Sequence, residues 1–513
     1  MKEKIATILR LIFSKKFIII LLLLLQIYLF TAIIFSLVDY SNIITALSII
    51  ISIIAAVKVL NNEKYSPEYK IAWLVPILTV PIFAGIAYFF LKTQYERKLF
   101  KKTIKKEQER IKKNTKQDAS IINEIKQDKT APINLFNYIN KCSGFPVYKN
   151  TQTKYFSSGE LLFQELKEKL EAAQNFIFFE FFIIDKGAMW HDILEILTRK
   201  ASEGVDVRLI YDGMGSQVWL PDGYNKHLRE KGIKCQVFNP FRPFLSTVQN
   251  NRDHRKIVVI DGNIAFTGGI NIADEYINKK QRFGHWKDTG IMITGDAVWS
   301  FTLMFLEMWN VTCGQGGGSW SKYRPTIETA SDGYIIPYGD EPVNSNMLGE
   351  TVYLNIINNA KKYVYFTTPY LIPDHNILFA LKMAAKSGID VRIITPSRPD
   401  KWYTHVLTQS FYKELISAGV KIYEYSKGFV HSKIFVSDDT TATVGTINMD
   451  YRSLYLHFEC STYLYKSGTV KDVKSDFLDT LKDCNKITTE YCAKIPMRRK
   501  FAANILRILS PLL

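Results

Sequence analysis

The sequence predicts an α/β protein: two homologous repeats folded into one catalytic unit and preceded by N-terminal transmembrane helices. Three observations carry that expectation. The first 91 residues are dominated by uncharged apolar runs. From about residue 131, short apolar strands alternate with amphipathic helices. Two segments roughly 180 residues apart then repeat one pattern, too long a period for a solenoid and right for a duplicated domain.

Composition narrows the class before any motif is read. A chain of 513 residues, 47% hydrophobic and 22% charged, is neither disordered nor collagen-like. Its 6 Cys form no C-x-x-C pair, which argues against a zinc ribbon or a small disulfide scaffold and suits a reducing compartment. A net charge of +17 leaves two partners open, nucleic acid or an anionic membrane.

Residues 1–91 read as a membrane region. Runs 17–38 and 71–91 hold 22 and 21 residues without a charge, enough to cross about 30 Å of hydrocarbon. The run 43–57 between them has 15 residues and reads as a further span or half of a hairpin, with a buried soluble helix as the alternative. The first run is too long for a cleaved signal peptide and reads as a retained anchor. Lys2, Lys4, Arg10, Lys15 and Lys16 precede it, and a denser basic block follows the third run. The positive-inside rule therefore places both flanks and the catalytic part in the cytoplasm, which asks for an even number of crossings. Pro76, Pro81 and Gly85 interrupt the third run, which can then bend or re-enter.

Residues 92–130 form a basic juxtamembrane linker, with 11 Lys/Arg against 3 Glu over 92–117. The first repeat spans 131–320 and the second 321–513, the latter ending in a basic amphipathic tail. In each, a strand, a helix, a Gly turn and a buried strand follow in order: Gly204-Val205-Asp206-Val207-Arg208 in one, Gly388-Ile389-Asp390-Val391-Arg392 in the other. That rhythm predicts βαβ units with mainly parallel pairing.

The repeats carry matching chemistry. His254, Lys256, Asp261, Gly268 and Asn271 recur at identical spacing as His431, Lys433, Asp438, Gly445 and Asn448. Composition allows about 0.1 chance occurrences of one such His-x-Lys-x4-Asp motif, so a pair in register is not accidental. On a strand, positions i and i+2 share a face, so each His and its Lys project together. Two Lys and two Asn then cradle a phosphodiester and the extra charge of its transition state. One imidazole can attack phosphorus while the other, protonated, donates to the departing oxygen; exchanged roles complete a ping-pong cycle. No metal or cofactor is called for. His191, His227, His375 and His405 sit in no motif.

These motifs resemble those of the phospholipase D superfamily, and nearly the whole chain is similar to the bacterial cardiolipin synthase family. The resemblance also rests on Gly268-Gly269-Ile270-Asn271, Trp286-Lys287-Asp288-Thr289, Gly445-Thr446-Ile447-Asn448 and the ending Ser510-Pro511-Leu512-Leu513. It implies two phospholipase D-like α-β-α repeats in a multi-pass protein of the bacterial plasma membrane. It implies transfer of a phosphatidyl group between two phosphatidylglycerol molecules, giving cardiolipin and glycerol through a covalent phosphohistidine. His254 is then the nucleophile and His431 the acid/base, an assignment that can reverse. By the same resemblance Asp288 orients His431, Glu459 orients His254, and Asn271 and Asn448 bind substrate. Asp261 and Asp438 complete the motifs from strand ends, where they hold backbone or partner side chains. Four positions depart from the family pattern: Asp253 and His457 stand where Asn is usual, Thr446 where Ser is, and Gly290 where His is.

A membrane-anchored hydrolase or nuclease shares this chemistry, and a silent nucleic-acid tether is the non-enzymatic rival. Charge placement separates them. Residues 1–16 carry +4, 92–117 carry +8 and 496–513 carry +4 of the +17, which leaves the repeats nearly neutral. A nucleic-acid enzyme concentrates cations around its cleft; these lie beside apolar runs, so the expected partner is anionic membrane lipid and not nucleic acid.

Overall fold

The strand order of the first repeat recurs strand for strand in the second. The computed structural model describes residues 41–63, 66–80, 84–85, 87–89, 95–240, 247–314, 318–343 and 346–512, with isolated positions 21, 24 and 28. The first repeat contributes β1 (Thr151–Phe156), β2 (Phe176–Phe181), β3 (Asp206–Asp212), β4 (Lys234–Phe238), β5 (Arg252–Asp253), β6 (Lys256–Ile260), β7 (Ile264–Gly268), β8 (His285–Lys287) and β9 (Gly290–Gly295). The second contributes β10 (Tyr334–Asp340), β11 (Tyr363–Thr367), β12 (Asp390–Pro396), β13 (Lys421–Tyr425), β14 (Gly428–Val430), β15 (Ile434–Ser437), β16 (Thr441–Gly445), β17 (His457–Tyr465) and β18 (Cys484–Lys486). One sheet runs β1-β9-β7-β6-β2-β3-β4 and the other β10-β17-β16-β15-β11-β12-β13-β18.

Parallel pairing is confined to half of each sheet. β2, β3 and β4 are parallel, as are β11, β12 and β13, because a helix returns the chain between consecutive strands. The remaining main-sheet pairs are antiparallel, which corrects the mainly parallel expectation. The turns decide this: β6 reaches β7 through Asp261, Gly262 and Asn263, too short for a crossover, with Asp261 at φ 52° and Gly262 at φ 71°.

The helix Val298–Cys313 (VWSFTLMFLEMWNVTC) is apolar almost all round and is accordingly buried over most of its surface. It packs on β2, β6 and β9 of one sheet and on β10 of the other. Phe305 from this helix stacks on Phe178 of β2 at 4.5 Å between ring centroids. The sheets also meet directly, Thr267 at the end of β7 lying 3.4 Å from the Cys460 sulfur of β17. Both repeats and this helix belong to one compact unit, 103–240 with 252–507.

A second unit, 1–102 with 241–251 and 508–513, holds the N-terminal apolar segments. Its helices Ser41–Leu60 and Pro67–Thr79 enclose a small cluster of Ala55, Val59, Ile77, Ala84 and Tyr88. Among the described residues no helix is long and apolar enough to cross a membrane. The run 17–38 lies outside the described residues apart from three positions. The run 43–57 lies within the helix Ser41–Leu60. The run 71–91 is interrupted: its helix stops at Thr79, and Val80 takes φ −134°, ψ 65°. The residue before a proline is driven out of the helical region, and Val80 precedes Pro81. Among the described residues, the expected transmembrane helices are thus not found as continuous spans.

Candidate active site

Each histidine sits where its chain leaves one sheet and enters another. β5 pairs parallel with β17 of the other repeat, setting Asp253 beside Phe458, and the His254 amide donates to the Phe458 carbonyl at 2.9 Å. β14 pairs parallel with β8, setting Val430 beside Lys287, and the His431 amide donates to the Lys287 carbonyl at 2.7 Å. Immediately afterwards β6 and β15 join their own repeat's sheet. Neither histidine therefore lies in a regular strand, a correction to the shared-face argument.

The exchange delivers each imidazole to a carboxylate of the opposite repeat. His254 Nδ1 lies 3.0 Å from Glu459 Oε2 and 2.9 Å from Oε1. His431 Nδ1 lies 2.7 Å from Asp288 Oδ2. An ionised carboxylate only accepts, so Nδ1 carries the proton on both rings and Nε2 keeps its lone pair. All four groups are buried, the two acids completely. Asp288 also accepts from the Thr289 amide at 2.8 Å, and Glu459 from the Thr446 hydroxyl. Gly268 and Gly445, in register in the sequence, pass close to the backbone immediately after these acids. A Cβ there would stand 2.4 Å from the Thr289 carbonyl and 2.5 Å from the Cys460 carbonyl.

The lysines fold back beside their histidines. Lys256 Nζ donates to the His254 carbonyl at 2.6 Å, and Lys433 Nζ to the His431 carbonyl. Burial disfavours their charged forms, pulling Lys256 down to about 8 and Lys433 to about 7. Burial likewise lowers His431 to about 4, with Lys433 adding repulsion, and holds His254 well below the usual histidine range. Burial raises Asp288, but its pairing with His431, the nearby Lys433 and the Thr289 amide outweigh it and leave that carboxyl low. Both rings are therefore neutral near pH 7, in surroundings that gain from an arriving anion.

Asp261 and Asp438 are placed away from the imidazoles, as backbone staples. Asp261 accepts from the amides of Gln174, Asn175 and Phe176 at 2.7–2.8 Å. Asp438 accepts from those of Lys361, Lys362 and Tyr363 at 2.6–3.0 Å. Asn271 donates to the Tyr276 hydroxyl at 2.7 Å and accepts from the Ile183 amide at 3.1 Å. Tyr276 in turn lies edge-on to His431 with centroids 5.5 Å apart. Asn448 donates to the Ser453 hydroxyl at 3.0 Å, and its buried Oδ1 has no partner among the described residues. Sequence reasoning missed Arg255, the middle residue of the first motif. It points away from the site into a buried cluster of Glu180 at 2.7 Å, Asp253 at 3.3 Å and Glu307 at 3.7 Å. The arginine–acid pair Asp253 and Arg255, two positions apart in the sequence, was its only signal.

Comparison with known proteins bears on this arrangement. The family described as cardiolipin synthase, PLD-like domain, matches residues 166–286 and 353–481, and a phospholipase D-nuclease N-terminal family matches 50–92. A Geobacillus protein named cardiolipin synthase is 36% identical over 484 residues, covering 93% of this chain and 96% of that protein. Its Alkalihalophilus pseudofirmus namesake is 35% identical, covering 88% and 90%. An uncharacterized protein of Streptococcus mutans is 44% identical, covering 90% and 100%. The crystal structure of a phosphatidylserine synthase from Haemophilus influenzae shares the fold, with a TM-score of 0.56 at 13% identity over 74% of this chain and 100% of that one.

Proposed function

The chain belongs to the phospholipase D-like cardiolipin synthase family, and on that premise we propose that it joins two phosphatidylglycerol molecules into cardiolipin, releasing glycerol, through a phosphohistidine on His254. The observation that carries the proposal is the crossed pairing of His254 with Glu459 and His431 with Asp288. Two buried imidazoles of one tautomer, each held by a carboxylate, are what a two-step displacement at phosphorus needs.

The lone pair on His254 Nε2 attacks phosphorus, and the bond to the glycerol oxygen breaks. His431, protonated at Nε2, gives that proton to the departing oxygen. Its pKa, held low by burial in the free protein, is raised when a phosphodiester anion enters, since a nearby opposite charge favours the cation. Lys256 and Lys433 neutralise the non-bridging oxygens. In the second step a phosphatidylglycerol hydroxyl gives its proton to His431 while its oxygen attacks phosphorus and frees His254. Asn271 and Asn448 each use one amide proton within the protein; the second is assigned here to a phosphoryl oxygen. Asp261 and Asp438 act on the fold alone.

The finer membrane reading also belongs to this proposal. In the helix Ser41–Leu60, Ile43, Leu47, Ile50, Ile53 and Leu60 are each more than half exposed, a surface suited to lipid and costly in water. With the basic block after it, this supports a multi-pass N-terminal region and a cytoplasmic catalytic part. At the other end, Met497, Phe501 and Ile505 form an exposed stripe beside Arg498, Arg499 and Lys500, suited to an anionic bilayer surface.

The test is the full chain in phosphatidylglycerol vesicles, with products resolved by mass spectrometry. Cardiolipin with glycerol is expected. Phosphatidic acid alone would make the protein a hydrolase, and oligonucleotide cleavage without lipid turnover would make it a nuclease.

A further inference from the structure

His457 is a third imidazole at the site and has no part in the displacement. It is 9% exposed, and its ring centroid lies 5.5 Å from that of His254. Its Nδ1 lies 3.8 Å from Glu459 Oε1, too long for a hydrogen bond, and has no partner among the described residues. Arg452 Nε approaches its other nitrogen at 3.4 Å, a weak contact. A ring nitrogen thus sits buried, unpaired and directed at a carboxylate that already serves His254. One atom each of His254, His457 and Glu459 lie within 4.8 Å of one another.

We propose that His254, His457 and Glu459 form a binding site for a divalent transition metal of the zinc type, and that an occupied site is inactive. The donor set of two imidazoles and one carboxylate is a common one for zinc. Tetrahedral coordination at about 2.0–2.2 Å sets ligand atoms roughly 3.3–3.6 Å apart. The separations of 2.9 Å for His254 Nδ1 and 3.8 Å for His457 Nδ1 from Glu459 Oε1 straddle that range. Lys256 and Lys433 oppose a cation here, while fully buried Glu459 supplies the neutralising charge. The contact given up is the long one from Arg452, because a His457 metallated at Nδ1 carries its proton on Nε2.

Inactivation follows from the tautomer. A neutral imidazole bound to metal through Nδ1 must bear its proton on Nε2. His254 then has no lone pair to offer phosphorus, and Glu459 is bound to the metal instead of to Nδ1–H. Binding itself is independent of the synthase reading; the loss of turnover rests on it.

The test uses the untagged full chain in phosphatidylglycerol vesicles with zinc chloride, and His457→Asn beside it. At zinc about tenfold above its dissociation constant, wild-type turnover should fall about 10-fold and return on adding EDTA. His457→Asn should keep near wild-type turnover and lose that sensitivity. Equal inhibition of both proteins would overturn the site. X-ray absorption of the zinc-loaded wild type gives a second readout that needs neither the variant nor lipid turnover. Two imidazoles and a carboxylate are expected, while a single imidazole, or no stoichiometric zinc, would overturn the proposal.

Discussion

The two half-sites share a backbone plan and differ in what surrounds each imidazole. His431 is enclosed by aromatic rings, with Tyr276, Trp286 and Phe429 at centroid distances of 5.5, 5.3 and 5.9 Å. His254 meets Phe182 at 4.9 Å and a second imidazole, His457. The central motif residues diverge as well. Ser432 bonds the Thr367 hydroxyl at 2.7 Å, whereas Arg255 anchors a buried acidic cluster. Duplication built one pairing twice, and later substitution made the halves unequal. An unequal pair can divide the work between a nucleophile and a proton carrier.

The strongest way to break that division is to remove one imidazole at a time. His254→Ala and His431→Ala should each lower kcat by about 10²–10⁴-fold, and the double variant should be little worse than either. Normal turnover in either single variant would end the two-histidine scheme. A substrate whose leaving group needs no proton, such as a nitrophenyl phosphodiester, separates the roles. Measured for release of nitrophenolate, it should rescue His431→Ala and leave His254→Ala inactive; the reverse pattern would exchange the roles.

One step outward, Glu459→Gln and Asp288→Asn should each cost roughly 100-fold or more in kcat, since an amide no longer dictates the imidazole tautomer. The nitrophenyl substrate should again recover only Asp288→Asn. Unchanged steady-state rates in both variants would mean that the crossed pairs are structural only.

The pH profile gives a smaller effect. Lys433 is pulled down to about 7 by burial, so its charge is present below that pH and is lost as pH rises through it. The kcat/KM profile should therefore fall on its alkaline side from near pH 7. An alkaline limb near the ordinary lysine value of about 10.4 would contradict the burial effect.

Smallest in activity are Asp261→Ala and Asp438→Ala. Each removes a carboxylate from three backbone amides, so unfolding experiments should show about 1–3 kcal/mol lost. The turnover per folded molecule should stay unchanged. A large fall in kcat with an unshifted midpoint would move these acids into the chemistry.

Local spacing made the motifs legible. Equal intervals from His to Lys, Asp, Gly and Asn predicted a duplicated site, and the strand orders of both sheets agree with a duplicated fold. The sheet exchange at the histidines was hidden, because β5 has two residues and its partner β17 begins about 200 positions later. Nothing in a period-two pattern marks where a strand changes partners. Antiparallel pairing of β6 with β7 was available in Asp261-Gly262-Asn263, a tight-turn signal overlooked in favour of the βαβ rhythm. The prolines of the third apolar run, Pro76 and Pro81, were legible as interruptions, and its helix stops at Thr79, with Val80 before Pro81 out of the helical region. His457 was visible only as a departure from the family pattern. Its bearing on Glu459 depends on two residues of one strand sharing a face.

The central claim, a division of labour between two crossed histidine–carboxylate pairs, is tested most directly by trapping the intermediate. The full chain turning over phosphorus-labelled phosphatidylglycerol is quenched in base, where phosphohistidine survives, and its peptides are mapped by mass spectrometry. The label should lie on the peptide carrying His254. Label on His431, or no covalent phosphorus during turnover, would contradict the account.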